Sequence, residues 1–326
     1  MPLQIISDHA GEIHLSSITP TMLWEYKLPE TQRLVGSGPY GNFLLQEMTG
    51  SGYRIWYNIY QLHRHDTITV TDDQPGIRIP FILRNSFLYQ AKGLGDWLMH
   101  ERGYHIYYTP QLHTRLQFRQ NKMYTSFELC VEQGLLEPLA PHYPALAALL
   151  DCASRGETAA LGKDPVVATP AMIAIIRNIL NNTHTGPLRQ RYLDTKVSEL
   201  VLLAVHQAVH YTPPPFIKLS EEEVEMIYET KALLLNELDK SYSIEQMGRK
   251  RGLTVHKLKK GFLRIYGTGI FDFLLEARME RAGALLQETH MPVEHVARLT
   301  GYKNIANFSV VFKKYYGYPP RYFRGK

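Results

Sequence analysis

Gly301-Tyr302-Lys303-Asn304-Ile305-Ala306-Asn307-Phe308-Ser309-Val310-Val311-Phe312-Lys313-Lys314-Tyr315-Tyr316-Gly317-Tyr318-Pro319-Pro320-Arg321-Tyr322-Phe323-Arg324 is the stretch that decides the fold of the C-terminal third. A glycine can leave a helix in the left-handed conformation without steric cost, so Gly301 ends the short apolar-periodic segment that opens at Val293. A second helix then starts within a few residues and must cross the first steeply. Phe308, Val311 and Phe312 fall on its buried side, which leaves an opposite face free to enter a groove.

The same layout occurs once more upstream. Ile244 to Leu253, followed by Thr254 to Gly267, repeats Val293 to Tyr302, followed by Lys303 to Gly317. Each copy places eight positions between its opening aliphatic residue and its turn glycine, Gly252 or Gly301. Each second helix carries a phenylalanine of core type, Phe262 or Phe312, and ends in Tyr-Gly. Leu258 and Ile265 complete the buried side of the first. Gly261 sits inside that helix, where glycine costs about 1 kcal/mol relative to alanine. Between the copies, Ile270 to Leu286 reads as one amphipathic helix with Phe273, Leu274, Ala277, Ala282, Leu285 and Leu286 as core. A stiff connector fixes the distance between two helices that could each fill a major groove, so successive groove faces about 34 Å apart are expected.

Charge follows this division. Residues 1–218 carry 18 Lys/Arg against 18 Asp/Glu, whereas 240–326 carry 17 against 6. A positive field confined to one end suits a polyanion.

The C-terminal region resembles the AraC/XylS transcription regulators over about residues 220–326, with the tandem units and the Phe-Lys-Lys, Gly-x-x-Pro and Tyr-x-Arg ending as the carrying features. The resemblance implies base contacts from His256, Lys259 and Lys260 in the first unit and from Ala306, Asn307 and Val310 in the second. Lysine can donate to guanine and asparagine can read adenine, whereas Ala306 and Val310 can only pack on thymine methyls. Lys259 and Lys260 have phosphate contact as an alternative role, and Asn307 has a local helix cap as one. Lys257, Arg264, Lys303, Lys313, Lys314 and Arg321 are the expected phosphate contacts, which set affinity rather than sequence. For the N-terminal half the resemblance implies a cupin-like domain for effector binding and dimerisation, and the whole reads as an activator with RNA polymerase as a further partner.

The N-terminal half reads as β structure from about 20 to 130. Tyr53 to Tyr60 is rich in aromatic and β-branched residues, Ile77, Ile79, Phe81 and Leu83 alternate with Arg78, Pro80, Ile82 and Arg84, and Thr71 to Gly76 is a turn. His105 to Thr109 and His113 to Phe118 read as further strands. Beyond 140 the spacing turns helical, over Tyr143 to Leu150, Thr169 to Leu180 and Leu188 to Tyr211. Val197, Leu200, Val201, Ala204, Val205 and Ala208 give the last of these one apolar face, for the barrel or for a second copy of the chain. Pro213, Pro214 and Pro215 break the helix and mark a linker, after which Ser220 and Glu223 have capping-box spacing.

The expected architecture is therefore α+β: a cupin-like β-barrel over 1–140, a helical dimerisation and coupling segment over 141–211, a linker over 212–219, and an all-α tandem helix-turn-helix domain over 220–326. Arg54, Trp56 and Tyr60 are the candidate effector-binding residues, since aromatics with a few polar groups line small-molecule pockets. Arg54, Arg78 and Arg84 would pair with an anionic effector, or stand exposed on strands. His63 and His65 could share one face of a strand and one metal, but no third histidine or glutamate follows at useful spacing, and no metal or cofactor is expected. No phosphate-binding loop, dinucleotide fingerprint or nucleophile elbow is present, so the chain is not read as an enzyme. Two rivals stay open: a metal-dependent cupin enzyme fused to a DNA-binding module, and a regulator without a ligand. With two cysteines, no apolar run of membrane-spanning length and no leader-like N-terminus, a cytoplasmic location is expected.

Overall fold

Along the strand Leu112–Phe118, Leu112, Thr114, Leu116 and Phe118 are buried while His113, Arg115 and Gln117 are exposed, the mark of a sheet with one wet face. In the computed structural model, which describes residues 3–212 and 217–323, this strand lies inside an antiparallel six-stranded sheet. The order is Gly11–Glu12, Gln4–Ser7, Asp66–Asp72, Leu112–Phe118, Phe87–Ala91, Gly95–Met99. Residues 213–216, which hold the three linker prolines, and Arg324 lie outside the described residues.

A second sheet faces the first. Its path runs Ala159–Ala160, Tyr107–Thr109, Gly76–Arg84, Met123–Val131, Tyr53–Leu62, Gly41–Gly50, Gln32–Gly38, and the short strands Gly103–Tyr104 and Val166–Val167 complete nine. The two sheets form a cupin-like sandwich and do not close into a continuous barrel. The expected alternation along Gly76–Arg84 is hidden in the burial, because Ile77 through Ile82 are all buried. Each face of this sheet meets a different core. Ile77, Ile79 and Phe81 join a core built with the helices, while Ile82 joins the core between the sheets. The strand expected at His105 starts only at Tyr107, since His105 and Ile106 form a link between two short strands. There the Ile106 carbonyl accepts from Leu161 N at 2.8 Å.

Three helices cover the outer face of the second sheet: α1 (Pro144–Ser154), α2 (Pro170–Leu180) and α3 (Gly186–Val209). Thr169 caps α2 by accepting from Met172 N, with proline at the first helical position. Leu193, Val197, Leu200, Val201, Ala204 and Val205 of α3 are buried against the sheet, each worth roughly 1.5–3 kcal/mol for the larger aliphatics. The apolar stripe read from the sequence thus covers the chain's own sheet.

The chain divides into two compact units, Met1–Thr212 and Pro213–Lys326. Among its described residues the second has only helical elements. It consists of α4 (Glu221–Asn236), α5 (Ile244–Arg251), α6 (Val255–Tyr266), α7 (Ile270–Glu288), α8 (Val293–Leu299) and α9 (Ile305–Tyr316), followed by a 3-10 turn at Pro320–Tyr322. Ser220 and Glu223 form the capping box of α4, and Ser243 and Gln246 form another at α5. α7 serves two cores. Ile270, Phe273 and Leu274 pack with α4, α5 and α6, while Met279, Ala282, Leu285 and Leu286 pack with α8 and α9. No helix among the described residues is long and apolar enough to cross a membrane.

Candidate nucleic-acid interface and sensor cavity

In each helix-turn-helix unit the turn is set by a left-handed glycine, Gly252 at φ 69° and Gly301 at φ 83°. At Gly301 a side chain is excluded twice over, because a Cβ there would lie 2.5 Å from both Leu238 O and Arg278 Nη2. Arg278 in turn donates to Leu238 O at 2.9 Å and to Lys240 O at 2.8 Å, which ties the middle of α7 to the loop after α4.

Each candidate reading helix is capped by the side chain just before its first turn. Thr254 caps α6, accepting from Lys257 N at 3.2 Å. Asn304 caps α9, accepting from Ala306 N at 2.8 Å and Asn307 N at 3.2 Å. The alternative role of Asn307 as a cap is therefore filled by its neighbour, and the Asn307 side chain stands exposed in the first turn. The local signal for this cap is an asparagine directly before Ile-Ala-Asn, which fits the N-cap preference.

In α9, Ala306, Val310 and Lys313 stand at i, i+4 and i+7 and are exposed, with Asn307 and Lys314 beside them. Phe308 and Phe312 are fully buried on the opposite side. Lys303 and Arg321 are also exposed. Val310 is 69% exposed and Ile305 45%, a large apolar surface for a soluble helix. In α6, His256 and Lys259 are exposed and Lys260 half-buried on one face, opposite buried Leu258, Phe262 and Ile265.

Two of the expected phosphate contacts in the first unit have partners within the protein. Lys257 Nζ is paired with the Glu223 carboxylate, which holds Glu223 below its ordinary range through that hydrogen bond. Arg264 is half-buried and donates from Nη1 to Ile217 O at 3.1 Å. Gly261, costly by helix propensity, is buried where α6 meets α4: a Cβ there would fall 2.4 Å from Ile227 Cδ1. Close approach of the two helices explains the residue.

The N-terminal unit contains a cavity of ≈ 50 Å³ between its sheets, lined by Trp56, Tyr60, Phe87 and Tyr89 and by a charged group of Asp72, Arg78 and Glu128. Two of the three candidate effector residues, Trp56 and Tyr60, meet there. Arg54 instead lines a separate open cleft of ≈ 500 Å³ with Tyr53, Tyr108 and Cys130. The register explains the grouping. Cys130 lies opposite both Arg54 and Arg78, while Glu128 lies opposite Trp56 and Pro80. Arg78 is 2% exposed and bonds Glu128 Oε1 at 2.8 Å and Asp72 Oδ2 at 3.3 Å. Burial would lower its pKa, but the Glu128 carboxylate overturns that and raises it. Its Nε lacks a hydrogen-bond partner. Arg78 is thus neither an exposed strand charge nor an unclaimed anion receptor. Arg84 is exposed at the strand end.

Aromatic side chains of this unit also hold the fold together, Tyr89 of the cavity wall among them. Tyr104 Oη donates to Ala204 O at 2.8 Å, and Tyr89 and Tyr107 share a 2.6 Å hydrogen bond. Burial pushes the pKa of His105 down to about 4, and its ring stacks on Trp97 at 4.2 Å. His63 and His65 are exposed in the turn after Leu62 rather than on a strand.

Comparison with known proteins agrees with both halves. Residues 247–326 match a helix-turn-helix domain family, and residues 51–219 match the family described as the regulatory protein PchR N-terminal domain. The regulatory protein PchR of Pseudomonas aeruginosa is 31% identical over 130 residues, 38% of this chain and 44% of that protein. The Msm operon regulatory protein of Streptococcus mutans is 24% identical over 98 residues, 30% of this chain and 35% of that protein. The matches thus span less than half the length of these curated relatives. Among solved structures, apo ToxT from Vibrio cholerae aligns with 84% of this chain and 98% of its own at 13% identity, with a TM-score of 0.33. The DNA-binding domain of AdpA, solved with a target DNA, covers 30% of this chain and 87% of its own at 20% identity, with a TM-score of 0.29. With more than half of its residues in the PchR N-terminal match and a helix-turn-helix match behind it, the chain belongs to the AraC family of DNA-binding transcription regulators.

Proposed function

We propose that the protein is a cytoplasmic activator that reads promoter DNA with α6 and α9 in successive major grooves and is controlled by a small molecule held between its N-terminal sheets. The observation that carries the DNA reading is the pair of exposed helix faces, His256 with Lys259 and Ala306 with Asn307 and Val310, each backed by a buried phenylalanine and joined through the single helix α7. In this reading the second unit selects thymine-rich sequence through the methyl-sized surfaces of Ala306 and Val310, with Asn307 on one adenine. Lys303, Lys313, Lys314 and Arg321 hold phosphates.

The effector reading rests on the Arg78, Glu128 and Asp72 group beside the aromatic cavity. Buried charge is costly, and an apolar pair would stabilise the sandwich as well or better. Its charges leave one negative in excess and one Arg78 N–H unsatisfied, so the matching ligand offers both a hydrogen-bond donor and an acceptor and carries no net negative charge. The cavity is small beside the ~300–1,000 Å³ of ordinary ligand pockets, so binding requires side chains such as Trp56 to move. Two copies of the chain act together on paired sites, and RNA polymerase is the partner through which activation proceeds.

Footprinting of the full chain on a bound promoter fragment tests the DNA reading. Two protected stretches about one helical turn apart, ~34 Å, are expected. Protection of a single half-turn would overturn the tandem geometry. Replacing thymine by uracil in the half-site under α9, which deletes only the methyl, is expected to weaken binding; no change would remove the thymine reading. Tryptophan fluorescence reports on the cavity, since Trp56 lines it.

A further inference from the structure

His206, in the last turn of α3, and His210, its C-cap residue, are both exposed and stand one turn apart, joined by a backbone hydrogen bond of 3.3 Å from His210 N to His206 O. Their rings approach to 4.7 Å between centroids. Tyr143, the residue that caps the start of α1, completes the cluster: its Oη lies 3.0 Å from His206 Nδ1, and its ring centroid is 6.1 Å from each imidazole. The helix end that carries the pair is held down from beneath, where Tyr104 Oη donates to Ala204 O and Val205 is buried.

We propose that His206 and His210 form a binding site for a divalent transition-metal ion of the nickel, copper or zinc class, with Tyr143 as a positioning residue. Imidazoles at i and i+4 on a helix converge on one ion, as they do in zinc-binding helices, and imidazole is a ligand suited to these metals. The last turn of α3 and its C-cap bond already hold the two imidazoles on one side of the chain end. The Tyr143 bond supplies what a ligand histidine needs at its other nitrogen. With His206 Nδ1–H donating to Tyr143 Oη, the Nε2 lone pair is the one offered to the metal. Water completes the coordination. The bound ion would clip the last turn of α3, immediately before the segment at 212–219.

Titration calorimetry of the untagged full chain with Ni²⁺ tests the site. One saturable binding event per chain is expected, lost in both His206→Ala and His210→Ala. Tyr143→Phe is expected to weaken it about 10-fold, in line with loss of an outer-shell partner, without moving the thermal midpoint of the metal-free protein. The chain has 14 histidines, so the exposed turn pair is the control: His63→Ala with His65→Ala should leave the event intact. The proposal is overturned if the parent chain shows no saturable event, if either helix variant binds as tightly as the parent, or if the turn variant abolishes binding. An affinity unchanged in Tyr143→Phe would remove the positioning role alone.

Discussion

In the first helix-turn-helix unit, Lys257 is paired with Glu223 and Arg264 is turned back to Ile217 O. In the second, Lys303, Lys313 and Lys314 all face solvent. The first unit has the more basic reading helix by sequence, yet part of that charge holds α4 and the chain before it. The second combines an exposed, methyl-sized helix face with outward cations. A count of lysines and arginines therefore overstates the field that the first unit presents to a phosphate backbone.

The largest expected effect comes from the cores. Phe312→Ala should cost about 3–5 kcal/mol, and because Phe262 and Phe312 belong to separate clusters the loss should be local. Hydrogen exchange should rise across α8 and α9 while α5 and α6 stay protected. Equal loss in both units would mean that the two cores are one cooperative body. Next is Gly261→Val, which copies Val311 at the matching position of the second unit. It should cost about 1–3 kcal/mol by overpacking against Ile227, read in a denaturant midpoint; a neutral result would show that α4 can move aside.

Binding variants probe the faces. Asn307→Ala should relax preference at a single base pair by about 1–3 kcal/mol, whereas Lys313→Ala weakens all sequences alike and lowers the salt slope by about 1. Equal losses everywhere would end the division between reader and phosphate contact. The smallest effect is expected for Lys257→Met, which should lower DNA affinity less than Lys313→Ala. In the same variant the Glu223 titration, followed by NMR, should move up toward the ordinary value of 4.5. The folded carboxyl titrates below its unfolded value, so its stabilisation is present above the unfolded pKa and lost as pH falls through the folded one. A Glu223 midpoint indifferent to Lys257 would break the pairing.

Local chemistry made much of this fold readable. Thr169-Pro170, Ser220 with Glu223, and the Gly252 and Gly301 turns are decided by neighbours in sequence, and the helices start or stop at them. What sequence hid depends on distant partners. Gly261 looks like a weak point until Ile227 is set against it. Arg78 sits in a strand with both faces covered, so no alternation betrays its burial, and its partner Glu128 is 50 residues away. Trp56 and Tyr60 meet in one cavity because they alternate on one strand, whereas Arg54, on the same face and two residues earlier, opens onto another cleft. Lys257 and Arg264 read as surface cations because nothing nearby in the chain announces Glu223 or Ile217.

One consequence of α7 concerns rotational phase. This unbroken helix gives its first turns to one core and its last turns to the other. Each residue of an α-helix advances about 1.5 Å and turns about 100°. A single inserted residue between Leu274 and Met279 would scarcely lengthen the unit, yet would swing α9 by more than a quarter circle relative to α6. The angular register of α6 and α9 is therefore geared to the helix repeat, and on the proposed DNA reading the spacing of the half-sites could change only in steps that bring both faces back to the same side.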